Sequence, residues 1–169
     1  STIFIISTIT ISPYLINLIT PQNTIIGMVG SYTIDTLPDD ILSKITNGLL
    51  YQKEKGKPIP VLAESWEILE NGLIYRFQLK KNILLDDGSF FTARDINYRF
   101  KDVTMRLKED YLVEFVLKKP LAIFPIYLTK PIVKYPKLGI GGLYKIDRYK
   151  YKYDKLLELS LTPNKKDLT

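Results

Sequence analysis

The chain has 169 residues with 24 basic and 18 acidic side chains, a net charge of +6, and neither histidine nor cysteine. Those two absences exclude Ser-His-Asp and Cys-His nucleophile systems, thiolate zinc sites, HExxH metalloproteases and any disulfide framework, so a general base near neutral pH would have to be a shifted carboxylate or lysine. The positive balance permits attraction to nucleic acid or anionic lipid headgroups, against the plainer reading of a solvated surface on an Ile-, Lys- and Tyr-rich chain.

From Ser1 through Ile34 there is no Lys, Arg, Asp or Glu. The run TIFIISTITISPYLINLI is about as long as a bilayer crossing needs, although Ser, Thr, Asn and Pro13 dilute it. Residues 1–19 read as the remainder of a signal sequence or membrane anchor; the alternative is a buried strand pair, because Ile and Thr suit strands. After a PQN turn, TIIGMVGSYTI (24–34) predicts a buried strand. Thr36 then offers an N-cap, Pro38 sits in the first turn, and Asp39 and Asp40 complement a helix dipole. Ile41, Leu42 and Ile45 supply one apolar face, and the helix should stop near Asn47-Gly48.

LLYQ (49–52) predicts a short strand, followed by an exposed KEKGKP turn. SWEILENGLIYRFQL (65–79) is the clearest hairpin signal. Asn71-Gly72 is the dipeptide a two-residue type I′ turn prefers, and both flanks alternate with period two. Asp86-Asp87-Gly88 fits a tight turn with Gly at a positive-φ position. A calcium loop would need further oxygen ligands where Phe90, Phe91 and Ala93 stand, so no metal is expected. Thr92 to Asp95 is a capping box with a shortened acid, which predicts a helix carrying Ala93, Ile96 and Phe100 on one face.

Strands are predicted at 101–107 and 111–118 around a Glu109-Asp110 turn, then an apolar segment LAIFPIYL broken by Pro125. GIGGLYKI (139–146) is a glycine-rich turn into a strand. It lacks the GK[ST] and following helix of a phosphate cradle. DRYKYKYDK (147–155) places Tyr149, Tyr151 and Tyr153 on one strand face and Lys150 and Lys152 on the other. A single-stranded nucleic-acid surface needs both kinds on one face, so a half-buried hairpin closed by KLLELSLT (155–162) is expected instead. The fold class is α+β, with several antiparallel pairs and two or three helices.

The run PIPVLAESWEILENGLIYRFQLKKNILLDDGSFFTARDI resembles the signature of the family 5 extracellular solute-binding proteins, the peptide, dipeptide and nickel receptors of ABC importers. The pattern P-x-L-A-E-S-W, a Gly turn, Y-x-F-x-L, D-G, and hydroxyl-Ala-x-Asp-Ile is met by Pro60, Leu62, Ala63, Glu64, Ser65, Trp66, Gly72, Tyr75, Phe77, Leu79, Asp87, Gly88, Thr92, Ala93, Asp95 and Ile96. Flanking stretches resemble the family as well, from about residue 25 to 167. At the G-T-G-P-Y segment Gly142 and Tyr144 match while Leu143 replaces the usual Pro, and against the family pattern the chain is shortened between Phe100 and Lys101.

The resemblance implies a class II periplasmic-binding-protein-like first lobe, residues 20–169, with a mixed sheet and the second lobe absent. It implies an extracytoplasmic receptor on the cell surface or in the periplasm, with no catalytic residues and no cofactor. Its partners would be a peptide or other small solute, ABC permease subunits and, through residues 1–19, the membrane; nucleic acid is not expected. Ser31, Tyr32 and Thr33 are the candidate ligand-binding residues, leaving the first strand where the family's loop meets the ligand, with Gly30 allowing close approach. The rival readings are a nucleic-acid-binding domain acting through Lys150 and Lys152 and a membrane-anchored structural domain.

Overall fold

The computed structural model describes residues 30–33, 36–52, 56–85, 87–133 and 139–164. The chain divides into two units, 1–30 and 31–169, and every element below belongs to the second. The expected anchor at 1–19, most of the 24–34 strand, and Asp86 lie outside the described residues.

A four-stranded antiparallel sheet forms the main body, built from β3 (Ala63–Leu69), β4 (Ile74–Leu79), β5 (Val103–Glu109) and β6 (Leu112–Leu117) in the order β3-β4-β6-β5. Period two decides which side chains go inward. Trp66, Phe77 and Val113 share one rung, and Ile68, Tyr75 and Phe115 share the next rung on the same face. Phe77, Val113 and Phe115 are 0% exposed and Tyr75 1%, so this face is the core. Trp66 stacks on Phe77 at 5.8 Å and on Tyr75 at 6.2 Å, and Phe77 meets Phe115 edge-on at 5.8 Å. Each such buried ring contributes roughly 2–3 kcal/mol of transfer free energy. Leu79 at the end of β4, Phe124, and Leu62, Leu85, Phe91, Ala93 and Ile140 from the connecting segments complete the cluster.

The β3–β4 connection holds the expected positive-φ pair, Asn71 at φ 53° and Gly72 at φ 90°, closed by Leu73 N–H donating to Glu70 O at 3.1 Å. Pairing nevertheless stops one rung early, at Leu69–Ile74. Glu70 also takes positive φ, and Leu73 O accepts the Leu117 N–H of the neighbouring strand instead of Glu70. The two-residue turn is thus drawn open by the third strand.

Helix α1 (Asp39–Ile45) buries Ile41, Leu42 and Ile45 as the spacing predicts, but its cap is a correction. Pro38 holds the N-cap position, and its carbonyl accepts the N–H groups of Ile41 and Leu42. Thr36 closes the turn before it, accepting the Thr33 N–H at 2.8 Å. The helix ends at Ile45 rather than near Gly48, because Thr46 turns extended and sends its hydroxyl to Ile132 O at 2.5 Å.

The Thr92–Asp95 stretch is a second correction. Both halves of the capping box form, with Thr92 N–H on Asp95 Oδ2 at 2.8 Å, yet they cap one 3₁₀ turn, Ala93–Asp95. Ile96 is already extended, so Ala93, Ile96 and Phe100 do not share a helical face. Tertiary contacts win over the local signal: Asn97 Nδ2 donates to Val133 O, and Tyr98 and Phe100 stack on each other at 5.5 Å beside Phe124. Upstream, the Asp87 turn forms as expected, with Gly88 at φ 82° and Asp87 Oδ1 accepting from Ser89 N–H and Oγ.

Helix α2 (Phe124–Tyr127) has Pro125 in its first turn, where a missing N–H costs nothing, so the proline starts a helix here. Strands β1 (Leu50–Tyr51) and β2 (Ile59–Pro60) form a small ladder beside the core. The chain closes with a long hairpin, β7 (Tyr144–Lys152) and β8 (Lys155–Pro163), whose turn residues Tyr153 and Asp154 have φ of 50° and 58°. Its root packs on α1: Ile146, Leu156, Leu159 and Leu161 cover Leu37, Ile41, Leu42 and Ile45. Its outer half is not half-buried as the alternation predicts. Bulges at Ile146/Arg148 and Lys150/Tyr151 break the period, and Tyr149, Tyr151 and Tyr153 are 49%, 40% and 85% exposed.

Candidate ligand-binding site

The three residues expected to meet a ligand are adjacent in the chain but engaged differently. Ser31 is exposed. Tyr32 forms an antiparallel bridge with Leu156, its carbonyl accepting the Leu156 N–H at 2.7 Å, and its ring packs against the α1 cluster. Thr33 belongs to a hydroxyl turn: its N–H donates to Thr36 Oγ1, its own Oγ1 lies 3.0 Å from Thr36 Oγ1, and its carbonyl accepts the Thr36 N–H. The segment is therefore held at Tyr32 and Thr33 and presents Ser31 outward. An arrangement of this kind can offer hydroxyl and peptide groups to a polar ligand but has no group able to take or give a proton at neutral pH.

Elsewhere in the fold two glycines allow close backbone approaches. Gly142 lies against the last turn of α1, where a side-chain carbon would clash with the carbonyl of Ile45 and stand 2.6 Å from its Cα. Gly48 faces three carbonyls, those of Leu128, Thr129 and Lys130, in the same way. Asn47 Nδ2 donates to Gly141 O at 2.5 Å and Asn164 Nδ2 to Gly142 O at 3.1 Å, so the glycine turn is pinned from both sides.

Two polar clusters escaped the sequence reading. Arg76 bridges three strands, donating to Glu114 Oε1 through Nε at 2.8 Å and Nη2 at 2.7 Å and to Glu67 through Nη1 at 3.0 Å. Its guanidinium is held above its ordinary value by the hydrogen bond to Glu114 first, and Glu114 is only 4% exposed. The signal was present in the hairpin register, which places Glu67 opposite Arg76. Tyr98 is the other. Its hydroxyl lies within reach of Leu49 N–H and of the carbonyls of Leu128 and Lys130, and burial pushes its pKa well up. Both clusters are structural: they tie strands and loops together away from residues 31–33. Among the described residues no group of three or more acids, His or Cys could hold a metal ion.

Residues 57–106 match the model of the bacterial extracellular solute-binding proteins, family 5, middle region. That stretch contains β2 through most of β5, including Trp66, Tyr75, Phe77 and the capping box. Over that stretch the chain is similar to family 5. The fold agrees: the oligopeptide-binding protein AppA of Bacillus subtilis, solved with a nonapeptide, superposes with a TM-score of 0.63 at 22% identity, over 82% of this chain and 35% of that one. NikZ of Campylobacter jejuni, solved with Ni(L-His), gives 0.61 at 21% identity, over 73% and 32%.

Among curated proteins, the peptide transport periplasmic protein SapA of Salmonella typhimurium is 29% identical over 94 residues, 52% of this chain. The oligopeptide-binding protein AliB of Streptococcus pneumoniae is 36% identical over 59 residues, 35% of this chain. The chain spans 16% of the length of SapA and 8% of AliB. The matched model describes solute-binding proteins, and in this chain the Asp87-Gly88 turn and the Thr92–Asp95 box close a turn and cap a 3₁₀ turn.

Proposed function

We propose that the chain is the first lobe of an extracytoplasmic receptor that holds oligopeptides for an ABC importer. The family 5 match at residues 57–106 carries the receptor reading. The peptide reading rests on relatives described as peptide transport and oligopeptide-binding proteins and on a structural neighbour solved with a nonapeptide. A peptide in extended form presents alternating N–H and C=O groups, and the exposed Ser31 offers main-chain and hydroxyl partners of the matching kind, with Tyr32 and Thr33 holding it in place. Closure against a second lobe would exclude water and complete selectivity, with no covalent step. Residues 1–19 would hold the receptor at the membrane or form the remainder of its export signal. A nickel-chelate reading has only a likeness of fold to NikZ behind it.

The test is titration calorimetry of the complete gene product with oligopeptides, together with mass spectrometry of whatever co-purifies with it. The reading expects saturable peptide binding that falls about tenfold or more in Ser31→Trp, since one bulky side chain would cost at least one main-chain contact, about 1.4 kcal/mol. Saturable binding of a metal chelate but no peptide would overturn it.

A further inference from the structure

In the outer half of the β7–β8 hairpin Leu156 packs toward α1 and bridges Tyr32, while the remaining apolar side chains stay in solvent. Every residue from Asp147 to Lys155 is exposed, and Leu157, beside the second bulge, is 65% exposed. Solvated hairpins usually carry short polar side chains at such positions, whereas this one carries Tyr149, Tyr151, Tyr153 and Leu157. The charges are arranged unusually as well. Lys150 is paired with Glu158 at 2.5 Å and Arg148 with Asp147 at 3.2 Å. Lys152 and Lys155 stand directly opposite each other on the last rung, and among the described residues neither makes an ion pair. Like charges placed directly across a strand pair are destabilising, so the tip keeps an unfavourable pair next to unburied aromatic surface.

We propose that this tip, comprising Tyr151, Lys152, Tyr153, Lys155 and Leu157, docks on an anionic phospholipid surface. Tyrosine has an apolar ring and a polar end, the combination that settles at the headgroup level of a bilayer, and lysines with long stems reach the phosphates around it. A negative surface would also relieve the Lys152–Lys155 repulsion. The ring geometry favours lipid over nucleic acid. Tyr149 and Tyr151 meet edge-to-face at 5.5 Å and 79°, and the Lys152 ammonium lies 5.5 Å from the centre of the Tyr153 ring. Faces engaged in this way are poor platforms for stacked bases, while interfacial insertion needs only the edges. The inference is independent of residues 1–19 and of what the receptor binds.

The experiment is co-sedimentation of the full chain with phosphatidylcholine vesicles and with vesicles in which about a third of the lipid is phosphatidylglycerol, read as the ratio of the two so that charge-independent binding through residues 1–19 cancels. Each lysine near such a surface is worth about fivefold in partitioning. Lys152→Ala/Lys155→Ala should therefore weaken binding to the anionic vesicles about 25-fold, with Tyr153→Ser weakening it further. Lys108→Ala/Lys119→Ala, which removes the same charge elsewhere, should change it by less than about threefold. These positions are exposed, so the variants should fold, and circular dichroism of each verifies that. Equal losses in both double variants would overturn the proposal, because only net charge would then matter. So would binding unchanged by the tip variants, or a tip-dependent affinity for single-stranded oligonucleotide without one for vesicles.

Discussion

Gly142→Ala tests the packing of the whole lobe in one atom. The added carbon would fall on the carbonyl of Ile45 and 2.6 Å from its Cα, and both partners are backbone, so no side-chain rotation can relieve the clash. Either the last turn of α1 or the glycine turn must move. Moving the turn strains the Asn47–Gly141 and Asn164–Gly142 hydrogen bonds and the Thr46–Gly141 bridge. Overpacking of a rigid site costs typically 1–3 kcal/mol, and a lost hydrogen bond about 1 kcal/mol more, so the expected loss is about 4 kcal/mol. Gly88→Ala is the comparison: nothing lies within 4 Å of the new carbon, but its φ of 82° is unfavourable for alanine, which costs about 1 kcal/mol. Urea unfolding followed by the fluorescence of Trp66, the only tryptophan, measures both. A Gly142→Ala loss no larger than that of Gly88→Ala would refute the described contact between α1 and the glycine turn.

Tyr98→Phe should cost about 1–3 kcal/mol, because Leu49 N–H and the carbonyls of Leu128 and Lys130 lose a shared partner; faster hydrogen exchange at the Leu49 amide locates the effect. The same hydroxyl gives a pH signature. Burial raises its pKa above the ordinary 10.0, so its contribution is complete below that value and falls away as pH rises through the alkaline range; the wild type should lose stability above about pH 10 more steeply than Tyr98→Phe. Glu158 is held below the ordinary carboxylate range by its hydrogen bond to Lys150, so Lys150→Met should return it to ordinary titration, visible by carboxyl NMR, and should remove stability present at neutral pH and lost in acid. Arg76→Leu should destabilise the sheet markedly in urea unfolding at neutral pH, since it leaves the buried Glu114 carboxylate without the guanidinium.

Local chemistry read true where the partner lay within a few residues. The β4 alternation, the Asn71-Gly72 positive-φ pair, the Asp87-Gly88 turn and both arms of the Thr92–Asp95 box all appear in the structure, whereas Ile68 of the edge strand β3, expected on the buried face, is 52% exposed. The errors come where a distant segment competes. Thr92 caps a single turn because Tyr98 and Phe100 are pulled into the aromatic cluster around Phe124, a contact that no local pattern announces. Pro38 displaces Thr36 as the helix start because the Thr36 hydroxyl is already engaged by Thr33. The outer hairpin looks half-buried in a period-two reading, but two bulges and the absence of any described element above it leave its tyrosines outside. Within residues 31–33 the division was not legible: that Tyr32 turns inward depends on Leu156, more than a hundred residues away.

The central proposal is that Ser31–Thr33, beside the β7–β8 hairpin, meet the ligand while the four-stranded sheet stays unchanged. Hydrogen–deuterium exchange of the complete gene product, with and without a saturating oligopeptide mixture, tests it most directly. The account predicts new protection at residues 31–33 with exchange in β3, β4, β5 and β6 unchanged. Protection confined to other surfaces, or none at any peptide concentration, would contradict it.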